Sequence, residues 1–376
     1  MINIGIVYKP HYTALEHYRQ RTPHDLLFHD DEKCFQFYDM QTIEGQDGII
    51  DGFTDDQLKD LQIIQFIRYI HPEGKTKETV ERLHKLGVKV VFDIDDHWQP
   101  DPSHLLHGRM KYNNYKQTVT DAFKYADWVT TTTPYFANEI SQYCSNITVL
   151  PNCISPTDTQ WKPAPIENAR LRFGWVGGVF HLPDIELLQP AFDYLYRRFG
   201  DISDSTYQFC VAGFNENPEY IAIEKIMKHK RLSKDYQDYL NLMTPTMEHL
   251  SYDQPYRRIW SKDVKTYGQV YNELDVCLVP LRDTKFNKCK SELKIIEAGV
   301  MGKSVIVSDV TPYKEYIKDG ENGLIATDWY TEIKYMIENP EHRKEMAEAL
   351  TQTIVKHFNP LVIGNKRGDL YRQLAK

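Results

Sequence analysis

Lys290 and Ser291 stand directly before a helical pattern, and Glu297 lies two turns into it. Ser291 is a favourable N-cap, and its hydroxyl and backbone N–H would face an anion held beside Lys290. On the helical wheel Leu293, Ile296 and Val300 form one apolar stripe, with Glu297 on its border. A carboxylate there is costly unless something hydrogen-bonds it. A ribose diol is one such partner; Lys294, three residues earlier, is the other. The preceding loop supplies Arg282, Lys285, Lys288 and Lys290 after a buried strand, Val276–Pro280. Cations at a strand's carboxyl end suit a diphosphate, although an ordinary charged loop has the same composition. Asp93-Ile94-Asp95-Asp96-His97-Trp98 follows another buried strand, Val88–Phe92. Asp95 and Asp96 there would bind hydroxyl groups or act as a base, or simply cap a turn. Gly177-Gly178 permits close backbone approach to a ligand, and His181 would donate a hydrogen bond to phosphate; a tight turn with an exposed histidine reads the same way.

The elements that must position these residues alternate between strand and helix, as in parallel α/β architecture. Strands are predicted at Ile2–Tyr8, Leu61–Arg68, Val88–Phe92, Trp128–Thr132 and Ile147–Leu150, with helices over Thr76–Leu86, Tyr112–Tyr125 and Tyr135–Cys144. Residues 155–168, rich in Pro, Ser and Thr, read as a linker. A second α/β region starts at Leu171–Val176 and continues with Tyr207–Ala212. Residues 214–250, polar and containing Lys228-His229-Lys230-Arg231, read as a solvated helical insertion. Helices near Glu341–His357 and Leu361–Ala375 end the chain.

At 376 residues the chain exceeds one typical core, so two domains are expected. A net charge of −8 gives no general attraction to nucleic acid or anionic lipid, so any phosphate must be neutralised locally. Six cysteines without zinc spacing point to reduced thiols and a cytoplasmic location. The start lacks a signal-peptide pattern, and no apolar run approaches the ~20 residues of a membrane span. Peripheral membrane contact stays open. The 25 tyrosines suit either sugar stacking or a tyrosine-rich core.

One ordered series of motifs resembles the nucleotide-sugar-binding half of GT-B glycosyltransferases, especially the retaining family 4. It consists of Tyr271-Asn272-Glu273-Leu274-Asp275-Val276-Cys277-Leu278-Val279-Pro280-Leu281, Phe286-Asn287-Lys288-Cys289-Lys290-Ser291, Glu297-Ala298-Gly299, Tyr313-Lys314-Glu315 and Asp319-Gly320-Glu321-Asn322-Gly323-Leu324. Gly174-Trp175-Val176-Gly177-Gly178 with His181 and Asp184 resembles the opening of the same domain. The resemblance implies two Rossmann-like domains with parallel sheets facing across a cleft. Residues 1–160, with the helix at about 360–376, would form an acceptor-side domain, and residues 168–358 the donor domain.

It also implies transfer of a sugar from a nucleotide-diphosphate sugar to an acceptor hydroxyl, with retention and no obligatory metal or other cofactor. Gly177, Gly178, Lys285, Lys290, Ser291 and Glu297 would hold the donor, with Asp95, Asp96 and His181 at the chemistry. The partners would be a nucleotide-sugar donor and a carbohydrate, glycolipid or other hydroxyl acceptor. Two departures stand out. Cys289 occupies the position of the family's first glutamate, and the Gly-rich loop after the first strand is missing, with Lys9 and Arg19 as the nearby cations. A non-catalytic nucleotide-sugar-binding or scaffold protein of the same fold is therefore the main alternative. A phage-type DNA glycosyltransferase and a sugar-nucleotide epimerase are the others.

Overall fold

The computed structural model describes residues 1–8, 13–28, 34–41, 50–198, 206–215, 217–227 and 256–376. The chain divides into two compact units. The first comprises Met1–Thr157, Thr284–Leu293 and Phe358–Lys376; the second comprises Asp158–Asp283 and Lys294–His357. Among the described residues no helix is long and apolar enough to cross a membrane.

The first unit is built on six parallel strands: β1 (Ile2–Tyr8), β2 (Phe35–Gln41), β3 (Ile63–Ile67), β4 (Lys89–Ile94), β5 (Trp128–Thr131) and β6 (Ile147–Val149), in the order β2-β1-β3-β4-β5-β6. Phe66 of β3 registers with Phe92 of β4, and both are fully buried. Such near-continuous apolar runs are what a parallel sheet covered on both faces requires. The helices Thr76–Lys85 and Tyr115–Tyr125 contribute Val80, Leu83, Val119, Ala122 and Phe123 to the core on one face. On the other face the helix Pro360–Leu374 brings Tyr371 onto the sheet, where its hydroxyl donates to Gln65 Oε1 at 2.5 Å.

The second unit is also a six-stranded parallel sheet, of β7 (Leu171–Val176), β8 (Tyr207–Phe214), β9 (Tyr256–Trp260), β10 (Val276–Val279), β11 (Ser304–Ser308) and β12 (Leu324–Ala326), ordered β12-β11-β10-β7-β8-β9. The strand order reverses between β7 and β10, and the carboxyl ends at such a reversal are where open α/β sheets bind ligands. Many of the aromatics are core residues here: Phe173, Trp175, Phe192, Phe209, Phe214 and Tyr256 belong to one buried cluster.

Two elements differ from the sequence reading for identifiable reasons. The continuous helix expected over Tyr112–Tyr125 is two helices, His107–Tyr112 and Tyr115–Tyr125, separated at Asn114 in the left-handed region with φ +51°. Asparagine is among the few residues that tolerate this conformation. The helix expected over Tyr135–Cys144 is the shorter Pro134–Ile140, started by Thr133, whose hydroxyl accepts from the Phe136 N–H at 3.1 Å. Most of the expected insertion, including Lys228–Arg231, lies outside the described residues, as does Lys9; its start holds the helix Glu219–Met227.

Candidate functional site

In the second unit β7 and β10 end beside one another at the strand-order reversal. Val176, Val279 and Pro280 from these ends, together with His181, Tyr271, Lys294 and Tyr313, line a narrow cavity. The loop leaving β7 carries the glycine pair. A Cβ on Gly177 would come within 2.8 Å of the Trp175 ring, so the fold itself requires glycine there. Gly178 has φ −94° and nothing within 4 Å of where a Cβ would stand, so no such demand applies and the space beside it is open.

His181 ends the short 3₁₀ turn Val179–His181. Its Nδ1 pairs with Asp184 Oδ2 at 2.8 Å, and Asp184 Oδ1 accepts from the Arg282 backbone N–H at 2.9 Å. Asp184 is 4% exposed, so it is a fixed orienting group. It holds the proton of a neutral imidazole on Nδ1 and makes Nε2 the acceptor.

Glu297 is fully buried on the helix Leu293–Val300. Its Oε2 accepts from the Tyr271 hydroxyl at 2.5 Å, from Lys294 Nζ at 3.0 Å and from the Tyr267 hydroxyl at 3.4 Å. Lys294 also donates to the Tyr267 hydroxyl at 2.7 Å. Burial, and then the Glu297 charge, push the Tyr267 phenol up to about 12 and raise Tyr271 well above its ordinary value. Burial alone would lower Lys294, but the Glu297 carboxylate and the Tyr267 hydroxyl outweigh it and hold the ammonium charged. The i−3 ion pair weighed against ribose binding is thus formed. Lys294, which sequence reasoning treated only as that partner, is the ammonium lining the cavity. Its place one turn before Glu297 was the available signal.

The other expected site residues fall in the first unit. Asp93 is fully buried and takes a bidentate pair from Arg19 at 2.9 and 2.8 Å and a hydrogen bond from the Thr130 hydroxyl at 2.5 Å. Arg19 is 1% exposed, which removes it as a surface cation for phosphate. Asp95 and Asp96 remain accessible, at 20% and 34%, and Arg68 approaches them at 3.4 and 3.3 Å. Arg68 holds a left-handed backbone, φ +66°, in a region that costs a non-glycine residue about 1 kcal/mol or more. Burial raises the Asp95 carboxyl above its ordinary value; Arg68 pulls it down, and Asp96 pushes it up again. Sequence reasoning missed Arg68, which lies 27 residues before Asp95 and meets it only because β3 and β4 are neighbours.

Lys290 Nζ lies 3.6 Å from Asp96, and Lys285 pairs with Glu139 at 2.6 Å. Ser291 is not the residue next to the helix, which starts at Leu293; its hydroxyl accepts from Asn152 Nδ2 at 3.0 Å. The expected loop Arg282–Lys290 contains a one-turn helix, Lys285–Lys288, capped by Thr284. Cys289, standing at the position of the family's first glutamate, is fully buried in the apolar core, which drives its thiol pKa upward. The structure therefore brings Gly177, Gly178, His181 and Glu297 together in the second unit. Asp95, Asp96, Lys285, Lys290 and Ser291 belong to the first. Among the described residues no group of three or more His, Cys, Asp or Glu is placed to hold a metal ion.

Residues 186–354 match the family model described as glycosyl transferases group 1. No curated protein sequence matches the chain. Among solved structures, HepE from Anabaena in complex with UDP-glucose is similar at 12% identity and TM-score 0.64, over 99% of this chain and all of that one. Sucrose-phosphate synthase from Thermosynechococcus elongatus is similar at 13% identity and TM-score 0.63, over 100% and 99% of the two chains. TarM of S. aureus is similar at 15% identity and TM-score 0.56; the match takes in 83% of this chain but about half, 55%, of TarM. Two six-stranded parallel sheets with these strand orders, together with the likeness to these solved structures, give the chain the GT-B fold, and residues 186–354, across most of the second unit, are similar to the glycosyl transferases group 1 family.

Proposed function

We propose that this GT-B glycosyltransferase moves a sugar from a nucleotide-diphosphate sugar to an acceptor hydroxyl, with retention of anomeric configuration and without a metal ion. The observation that carries the reading is the cavity at the β7–β10 reversal, where an ammonium and an oriented imidazole converge beside an open glycine loop. Developing negative charge on a leaving diphosphate is what the fixed Lys294 ammonium stabilises, and His181 adds a donor there as the imidazolium, with both ring nitrogens protonated. The acceptor oxygen bonds to the anomeric carbon as the bond to the diphosphate breaks; the diphosphate keeps the electron pair and takes up the hydroxyl proton. Lys285, Lys290 and Ser291 keep their proposed anion-binding role, and Glu297 its ribose-binding role. Asp95 and Asp96 serve the acceptor. HepE was solved with UDP-glucose, so uridine is the first base to try. No disulfide is formed among the described residues, in keeping with a reducing, cytoplasmic setting.

A thermal-shift panel of uridine, guanosine and adenosine diphosphate sugars tests the donor, since a ligand that binds the folded state raises its apparent stability. NMR of the product's anomeric proton tests retention, and a chelator arm tests metal independence. Stabilisation by a nucleotide sugar, an unchanged anomer and chelator-resistant turnover are expected. Inversion, or activity that needs added manganese or magnesium, would overturn those parts of the reading.

A further inference from the structure

Two adjoining cavities in the first unit, of about 300 and about 400 Å³, share Trp98, Gln99, Pro100, His107 and Lys116 and so form one hollow along the segment that follows β4. One end meets the first turn of the eleven-residue helix Tyr115–Tyr125. That helix opens from Asn114 in a left-handed conformation. The Asn114 side chain makes no capping hydrogen bond, and the first turn carries no acidic residue. The Gln117 N–H is taken by the Asn114 carbonyl at 3.0 Å, and the helix start presents the Tyr115 and Lys116 N–H groups and a positive dipole end with no capping side chain. Lys111 and Lys116, both exposed, border the same end.

The other end holds a second, independent feature. His97 is 4% exposed, and its Nδ1 accepts from the Gln99 N–H at 3.1 Å. Nδ1 also lies 3.2 Å from the Gln99 carbonyl, and with either tautomer Nε2 is a buried atom with no hydrogen-bond partner among the described residues. A buried polar nitrogen left unmatched is costly, and a hydroxyl-bearing ligand in the hollow, able to donate or accept, would relieve it. Lys285 also lines this end, paired with Glu139, and Asp101 is the one carboxylate among the described lining residues.

We propose that this hollow binds a phosphate-type oxyanion carried by the acceptor, with the anion at the Asn114 end between Lys111 and Lys116 and a hydroxylated portion reaching toward His97. That the ligand is the acceptor rests on the glycosyltransferase reading; that an oxyanion binds does not. The site favours an acceptor bearing a phosphate, and the phosphate could come from a soluble sugar phosphate or from a lipid headgroup.

The test uses the full chain saturated with UDP, titrated calorimetrically with inorganic phosphate and with glucose 6-phosphate, with glucose as the uncharged control. Asn114→Asp is the informative variant: aspartate tolerates the left-handed region and caps helices well, so the fold is kept, yet its charge repels an anion. We expect phosphate and glucose 6-phosphate to bind the wild type, and their affinity to fall by about tenfold or more in Asn114→Asp and in Lys111→Ala/Lys116→Ala, with UDP affinity and melting temperature held. Flotation with phosphatidic acid vesicles against phosphatidylcholine vesicles separates the two sources, and binding in either arm supports the site. No binding of any phosphate probe to the wild type, or equal binding to wild type and both variants, overturns it. Failure of UDP to bind while phosphate still binds counts against the donor reading and leaves this site standing.

Discussion

Glu297→Gln isolates one buried ion pair of the second unit. The substitution preserves shape but removes the charge that faces Lys294 at 3.0 Å in a fully buried position. Removing one partner of a buried ion pair costs about 3–5 kcal/mol, because the other charge is left uncompensated. Lys294 keeps the Tyr267 hydroxyl at 2.7 Å and is 24% exposed, so the low end applies, about 3 kcal/mol. In a unit of this size that corresponds to a fall in melting temperature of about 6–12 °C. The double variant Glu297→Gln/Lys294→Met should lose less than the single one, since it removes the orphaned ammonium as well. Differential scanning calorimetry of the unliganded protein reads both, and titration with UDP reads the consequence for the donor. A Glu297→Gln protein that melts with the wild type, or a double variant no better than the single, would refute the assignment of Glu297 as the counter-ion that keeps Lys294 charged.

Asp93→Asn should destabilise the first unit by about 3–5 kcal/mol, because Arg19 is left buried beside a neutral amide; chemical denaturation measures it. Arg68→Ala should lower the transfer rate far more than donor affinity, and should shift the alkaline-going rise of the rate to higher pH, because the cation that lowers the Asp95 pKa is gone; a pH–rate profile checks this. His97 is held down to about 4, first by burial, against an ordinary value of 6.5. Its folded pKa is lowered, so its contribution is fully present above pH 6.5 and is lost as pH falls toward 4, by up to about 3 kcal/mol; His97→Gln should flatten that slope in denaturation curves.

The alternation of strands and helices was plain in the sequence because parallel strands buried on both faces are almost wholly apolar, as in Val88–Phe92 and Leu171–Val176. The edge strands β2, β9 and β12 were not found. In β2, Phe35–Gln41 mixes exposed Tyr38 and Asp39 with its apolar residues, so it lacks the unbroken run that marks a central strand. The helix that carries Glu297 and the charged loop before it were legible, but the partners of each residue were not. Arg68 reaches Asp95, and Asn152 reaches Ser291, across sequence gaps that only sheet order and chain return close. The expected cap at Ser291 failed because the helix starts two residues later, at Leu293. Arg19, read as a surface cation, proved to be the counter-ion of a buried aspartate that no local pattern announced.

The central claim is that a nucleotide-diphosphate sugar occupies the second unit at the end of β7. Gly178→Leu tests it most directly, because a Cβ at this position meets nothing within 4 Å and the remaining side chain extends into the open space assigned to the donor. Calorimetric titration of wild type and variant with UDP-glucose, followed by the guanosine and adenosine analogues, is the measurement. The account predicts binding of one of these donors to the wild type and a loss of about tenfold or more in Gly178→Leu at unchanged melting temperature, about 1.4 kcal/mol of binding. Equal affinity in the two proteins, or no donor bound by the wild type, would contradict it.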